Sequence, residues 1–222
     1  MTRIKFCGIT SVQEAKLVES LGADAIGLLV GRAHQASDFI TAEVAREICL
    51  MLPPFISSVV VTHLEKTEEL LALAHQVPCT TFQLHSDLSA AALRELRTQL
   101  YPKKIIGKVS VLGVGSKDHT RALERVREIE NHVDAIVLDS IDVSTDRVGG
   151  TGMTHDWSIS AQIVSSSKVP IILAGGLNPE NVASAIQQVK PWAVDVNSGV
   201  EEKGQKSADR VRRFVTAVNS SK

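Results

Sequence analysis

Eight short apolar runs recur along the 222-residue chain, each followed by a segment with helical spacing. The runs are RIKFC (3–7), DAIGLLV (24–30), FISSVVV (55–61), TTFQL (80–84), KIIGKVS (104–110), DAIVLD (134–139), PIILAG (170–175) and WAVDVN (192–197). Most are rich in Ile and Val and do not alternate strictly with polar residues. Strands of a parallel sheet, buried on both faces, have this pattern. Helices are predicted between them at 12–21, 42–52, 66–76, 88–100, 119–130, 157–165, 179–189 and 208–218, with Ser11, Thr41, Thr67 and Asp156 as caps. One strand and one helix together occupy roughly 28 residues, the length of a βα unit.

Eight such units favour a closed α/β barrel, because closure leaves no sheet edge. A doubly wound open sheet is the runner-up. It calls for a GxGxxG turn after the first strand, and the chain has none there. No linker or low-complexity stretch divides the chain, so residues 1–222 read as one (β/α)8 domain.

Composition narrows the function. Net charge is −1 and the basic residues are scattered, which argues against a nucleic-acid binder. No apolar run reaches the ~18 residues of a membrane span. Residues 1–10 lack the charged and apolar regions of a signal peptide. Cys7, Cys49 and Cys79 are odd in number and widely spaced, so neither a zinc ribbon nor a disulfide framework is expected. A cytoplasmic protein with reduced thiols is the simplest reading.

In such a barrel the active site gathers at the C-terminal ends of the strands. Those ends carry Cys7, Gln83, His85, Asp139, Asp195 and Asn197. Glycine-bearing loops follow the last three strands: Gly150 and Gly152 in GGTG, Gly175 and Gly176 in AGG, and Asn197, Ser198 and Gly199 in NSGV. Backbone N–H groups in such loops can approach an anion closely, so a small phosphorylated substrate is expected. A cysteine facing an aspartate over a phosphosugar suits proton transfer on a carbonyl compound, with the thiolate as base and the carboxyl as acid. The bland alternatives are turns for the glycines, a cap for Asp139 and a structural role for His85. Cys49 and Cys79 read as small buried hydrophobes, and His34 and His63 as solvated loop residues.

Taken together, KFCGIT (5–10), GADAIG (22–27), FQLH (82–85), LDS (138–140), GGTGMTHDWS (149–158), ILAGGLNPENV (172–182) and VDVNSGVE (194–201) resemble the phosphoribosylanthranilate isomerase family of tryptophan biosynthesis. They stand in family order and span nearly the whole chain. The resemblance implies a TIM barrel that carries out an Amadori rearrangement without metal or cofactor, as a monomer or homodimer. Carried over by motif, Cys7 is the general base and Asp139 the general acid.

One segment departs from the family. After strand two the family has an aromatic–Pro–x–Ser–x–Arg–aromatic–hydrophobic pattern, and here the chain reads GRAHQASDFIT (31–41). Asp38 falls where the family arginine is expected to hold the anthranilate carboxylate, and Arg32 or His34 would have to substitute. Rival readings are an isomerase of altered specificity, a non-catalytic phosphate-binding barrel, and a Schiff-base aldolase using Lys108.

Overall fold

The computed structural model describes residues 1–31, 38–113, 120–142, 147–148 and 156–221. Eight parallel strands form the frame: β1 (Arg3–Phe6), β2 (Ala25–Leu29), β3 (Ser57–Thr62), β4 (Thr81–Leu84), β5 (Lys104–Leu112), β6 (Ala135–Asp142), β7 (Ile171–Leu173) and β8 (Ala193–Val196). Each pairs with the next, and β8 pairs with β1, with Lys5 opposite Asp195 in register. The ring is therefore closed, a (β/α)8 barrel. A two-residue strand, Arg147–Val148, pairs antiparallel with the end of β6.

The outer layer is α1 (Val12–Ser20), α2 (Ala42–Met51), α3 (Thr67–Gln76), α4 (Ala90–Gln99), α5 (Thr120–Ile129), α6 (Trp157–Ser166), α7 (Val182–Val189) and α8 (Ala208–Ser220). Ser11, Thr41 and Asp156 accept backbone N–H bonds as caps, as their positions predict. Thr67 does not. It is the first residue of α3, and Lys66 occupies the cap position without a side-chain bond. The helix expected from 179 begins at Val182, because Asn178 Oδ1 accepts the N–H groups of Glu180 and Asn181 and holds that segment as a turn. The strand expected from 55 begins at Ser57. A turn closed by Ile56 N–H on the Pro53 carbonyl leaves Phe55 95% exposed outside it.

The core has two parts because strand side chains alternate. Outward residues such as Phe6, Ile26, Val60, Phe82, Ile105, Ile136 and Val194 pack against the helices. Phe6 meets Phe214 of α8 edge-on at 6.0 Å, tying the first strand to the last helix. Inward residues Leu29, Val59, Val61, Ile106, Ala135, Val137, Ile172 and Ala193 fill the barrel, and Cys7 belongs to this set. The same inward rows also bury Lys5, Gln83, Lys108, Asp139 and Asp195, charge and polarity that a purely structural interior would exclude. Among the described residues no helix is long and apolar enough to cross a membrane.

Candidate active site

Of these polar inward residues, Gln83, Asp139 and Asp195 open onto one cavity of about 430 Å³ at the C-terminal mouth of the barrel. Cys7, His63, Gln83, His85, Asp139, Asp195 and Asn197 line it, together with Gly175, Gly176, Ser198 and Gly199. The volume lies in the range of ligand pockets.

Cys7 stands one residue beyond β1, its N–H bonded to the Val196 carbonyl of β8 at 2.8 Å. The chain then turns at Gly8, whose φ of +69° suits glycine. Gly27, the neighbouring inward residue of β2, makes the room. A β-carbon there would lie 2.9 Å from Cys7 Sγ and 3.0 Å from Lys5 Nζ. Burial pushes the Cys7 thiol up to about 11, against the pull of the Lys5 ammonium. Lys5 is 3% exposed, and its Nζ donates to Asp195 Oδ2 at 2.7 Å.

Asp139 lies on β6. Burial raises its carboxyl to about 6, although Ser140 N–H donates to Oδ1 at 2.8 Å and so favours the anion. Its Oδ2 is 3.5 Å from His85 Nε2. That contact is not an ion pair, because burial, helped by nearby His63, lowers His85 to about 3 and keeps the ring neutral. His63 stacks on His85 with centroids 5.0 Å apart and planes at 18°, and Phe39 meets His63 edge-on. The buried atoms Gln83 Oε1, His85 Nδ1 and Asp195 Oδ1 have no hydrogen-bond partner among the described residues.

At the other end of the cavity the loops after β7 and β8 meet. Gly175 and Gly176 have φ of +83° and +64°, and a side chain on Gly175 would collide with Ser140. Asn181 braces this loop: its Oδ1 accepts Asn178 N–H and its Nδ2 donates to the Gly176 carbonyl. Arg210 of α8 lines the same end and donates to the Gly199 carbonyl. Lys206, buried in a short hairpin after β8, donates to Asn197 Oδ1 at 2.6 Å and pairs with Glu201. Asn197 Nδ2 in turn donates to Asp38 Oδ2 at 2.9 Å.

The barrel thus brings Cys7, Gln83, His85, Asp139, Gly175, Gly176, Asp195, Asn197, Ser198 and Gly199 to one cavity. Arg32, His34, Gly150 and Gly152 lie outside the described residues. Lys108 Nζ lies 3.4 Å from Asp87 Oδ1, and Lys108 is not among the residues lining the cavity. His63 corrects the sequence reading. It is no solvated loop residue, because the inward row of β3 continues one step past the strand and delivers it to the His85 ring. Lys5, Arg210 and Lys206 were missed. Only Lys5 leaves a trace in the sequence: a charge two residues before Cys7, on the same face of an otherwise apolar strand.

A family model described as N-(5'phosphoribosyl)anthranilate (PRA) isomerase matches residues 4–217. N-(5'-phosphoribosyl)anthranilate isomerase 2 of Methanosarcina mazei is 44% identical over 214 residues, covering 96% of this chain and 92% of its own. The Methanocella arvoryzae isomerase is 40% identical over the full length of both. Among solved structures, the Thermotoga maritima phosphoribosyl anthranilate isomerase superposes with a TM-score of 0.84 at 33% identity, covering 99% of this chain and 100% of its own. Another isomerase, solved with reduced 1-(o-carboxyphenylamino)-1-deoxyribulose 5-phosphate, gives 0.81 at 32% identity, with the same coverage of both chains. With nearly its whole length matched in sequence and in fold, the chain belongs to the phosphoribosylanthranilate isomerase family.

Proposed function

We infer that the chain converts N-(5-phosphoribosyl)anthranilate to 1-(2-carboxyphenylamino)-1-deoxyribulose 5-phosphate, with Cys7 as general base and Asp139 as general acid. The observation that carries this is placement: thiol and carboxyl arise from β1 and β6, far apart around the barrel, and line one cavity flanked by the Gly175–Gly176 and Asn197–Gly199 loops.

Asp139, raised to about 6, is suited to hand a proton to the ribose ring oxygen. The ring C–O bond breaks and the anthranilate nitrogen takes up the positive charge as a Schiff base. The Cys7 thiolate then removes the C2′ proton. That electron pair moves to C1′ and on to nitrogen, giving an enolamine that tautomerises to the ketone. The substrate's own nitrogen is the electron sink, so no cofactor enters the scheme. Gln83, His85 and Asp195, each with an unpartnered buried atom, are assigned to the sugar hydroxyls. Backbone N–H groups of Gly175, Gly176, Ser198 and Gly199, with Gly150, Gly152 and Asn197, are assigned to the phosphate, and Arg210 adds positive charge at that end. Arg32 is the candidate for the anthranilate carboxylate. The enzyme is read as a cytoplasmic monomer or homodimer.

Cys7→Ser and Asp139→Asn, assayed separately, test the pair. Each is expected to cut kcat by about 10²–10⁴-fold, as loss of a positioned proton-transfer group does. Binding of the reduced product analogue should persist in both. Either variant retaining most of its turnover removes that assignment.

A further inference from the structure

We propose that Lys5 is the positioning residue that sets the ionisation of Cys7. Its buried ammonium is paired with the Asp195 carboxylate and shares the space above Gly27 with the sulfur, and it is the positive charge against which the thiolate forms. The proposal deepens the reading of Cys7 as general base and rests on it.

Lys5 lies on β1 and Cys7 two residues on, just past its end, so both share the inward face. Both reach the space above Gly27, where Nζ and Sγ are 3.0 and 2.9 Å from a single point. Lys5 Nζ is anchored at 2.7 Å on Asp195 Oδ2, and Asp195 stands directly across the β1–β8 ladder. The other carboxylate oxygen, Oδ1, is buried without a partner among the described residues. An ion pair closed on itself would leave the sulfur alone. Here the ammonium has donors to spare and the thiol as its neighbour. Lys206, from the hairpin after β8, is the next cation felt by the sulfur. Its donors are already engaged on Asn197 and Glu201. Asp139, His85, His63, Asp38 and Arg210 line the rest of the cavity. The balance at Cys7 is then a contest between the Lys5 charge, which favours the thiolate, and burial with the Asp195 charge, which oppose it.

A purely structural ion pair would behave differently. Breaking it from either side would loosen the site alike, whereas the proposed role moves Cys7 in opposite directions. The experiment follows the iodoacetamide alkylation rate of the Cys7 peptide by mass spectrometry against pH, in enzyme without substrate. The peptide readout separates Cys7 from Cys49 and Cys79. Lys5→Met should slow alkylation at pH 8 on the order of tenfold, and Asp195→Asn should speed it by a similar factor, since one pKa unit is tenfold in thiolate. Should Lys5→Met fail to fold alone, Asp195→Asn is compared with the Lys5→Met/Asp195→Asn double variant. The double variant must then be about tenfold slower than Asp195→Asn. Rates that do not respond to Lys5, or that shift the same way in both single variants, overturn the proposal. Its failure is distinguishable from failure of the catalytic reading: alkylation reports the Lys5–Cys7 coupling whether or not Cys7 is the base, and Cys7→Ser turnover reports the base itself.

Discussion

With the proposed base Cys7 at about 11 and the proposed acid Asp139 at about 6, the proposed scheme has its protons in the wrong places for most of the pH range. The proposed scheme needs Cys7 as thiolate and Asp139 as carboxyl. Below pH 6 the carboxyl is protonated and the thiolate fraction grows tenfold per pH unit, so kcat/KM should rise with a slope of one. Between about 6 and 11 the thiolate still grows tenfold per unit, but the protonated carboxyl falls tenfold. The product is constant, so the profile should be flat. Above about 11 it should fall. On the plateau the competent fraction is about 10⁻⁵, from the separation of the two values. A typical kcat of about 10 s⁻¹ then requires about 10⁶ s⁻¹ from the competent form, a barrier of about 9 kcal/mol. That is within reach of proton transfer between positioned groups.

The assay is the initial rate of loss of anthranilate fluorescence across pH 5 to 10, taken at low substrate so that kcat/KM reports the free enzyme. The substrate phosphate itself ionises near 6. The acid limb is therefore assigned independently, by following the carboxyl infrared band that disappears in Asp139→Asn. Lys5→Met should lower the plateau and, because the Lys5 charge also holds the Asp139 carboxyl down, move the acid limb to slightly higher pH. A plateau that ends well below pH 10 would place the thiol far below 11, and a profile that climbs through pH 7–9 would show that losing the carboxyl proton costs nothing and refute the reasoning. So would a fall of tenfold per unit beginning at 6, because no base would then be compensating the lost acid.

Other outcomes follow from single contacts. Asp139 has a folded value raised from 3.8 to about 6, so its contribution to stability is present below 3.8 and lost as pH rises through 6. Asp139→Asn should therefore raise Tm at pH 8, by up to about 3 kcal/mol in stability, and change little at pH 4; calorimetry at the two pH values decides. Gly27→Ala should cost about 1–3 kcal/mol in denaturant unfolding and slow Cys7 chemistry, because the new methyl meets Sγ and Nζ together. Lys206→Met strands Glu201 and frees Asn197, and should cost about 3 kcal/mol while weakening binding of inorganic phosphate. Asp38→Ala removes a carboxylate from the cavity wall and should lower KM for phosphoribosylanthranilate, read in steady-state kinetics.

The frame was legible because one rule repeats. Period-two alternation and barrel closure together place strand-end residues on one mouth. That is why Cys7, Gln83, His85, Asp139, Asp195 and Asn197, scattered over 190 positions, read as one ring and stand around one cavity. The same rule shows where local reading stops. His63 lies just past β3 and reads as loop, yet the inward row outlasts the ladder and stacks it on His85. Thr67 reads as a cap from residue type alone, but a cap needs its backbone half out of the helix, and here Lys66 has that place.

Lys5 is the instructive omission. A lysine in the first strand reads as a snorkelling edge residue until β8 closes against β1. Only closure sets Asp195 across from it, and only a glycine at position 27 leaves room for its ammonium beside the sulfur. Neither of these conditions is local, and each is easy to miss alone. A buried ammonium carries a heavy desolvation cost, which its pairing with Asp195 offsets in part. An apolar pair of similar volume would serve the barrel as well or better. The proposed coupling gives the charge at that depth one physical account, the neighbouring thiol, which burial alone would hold protonated and inert.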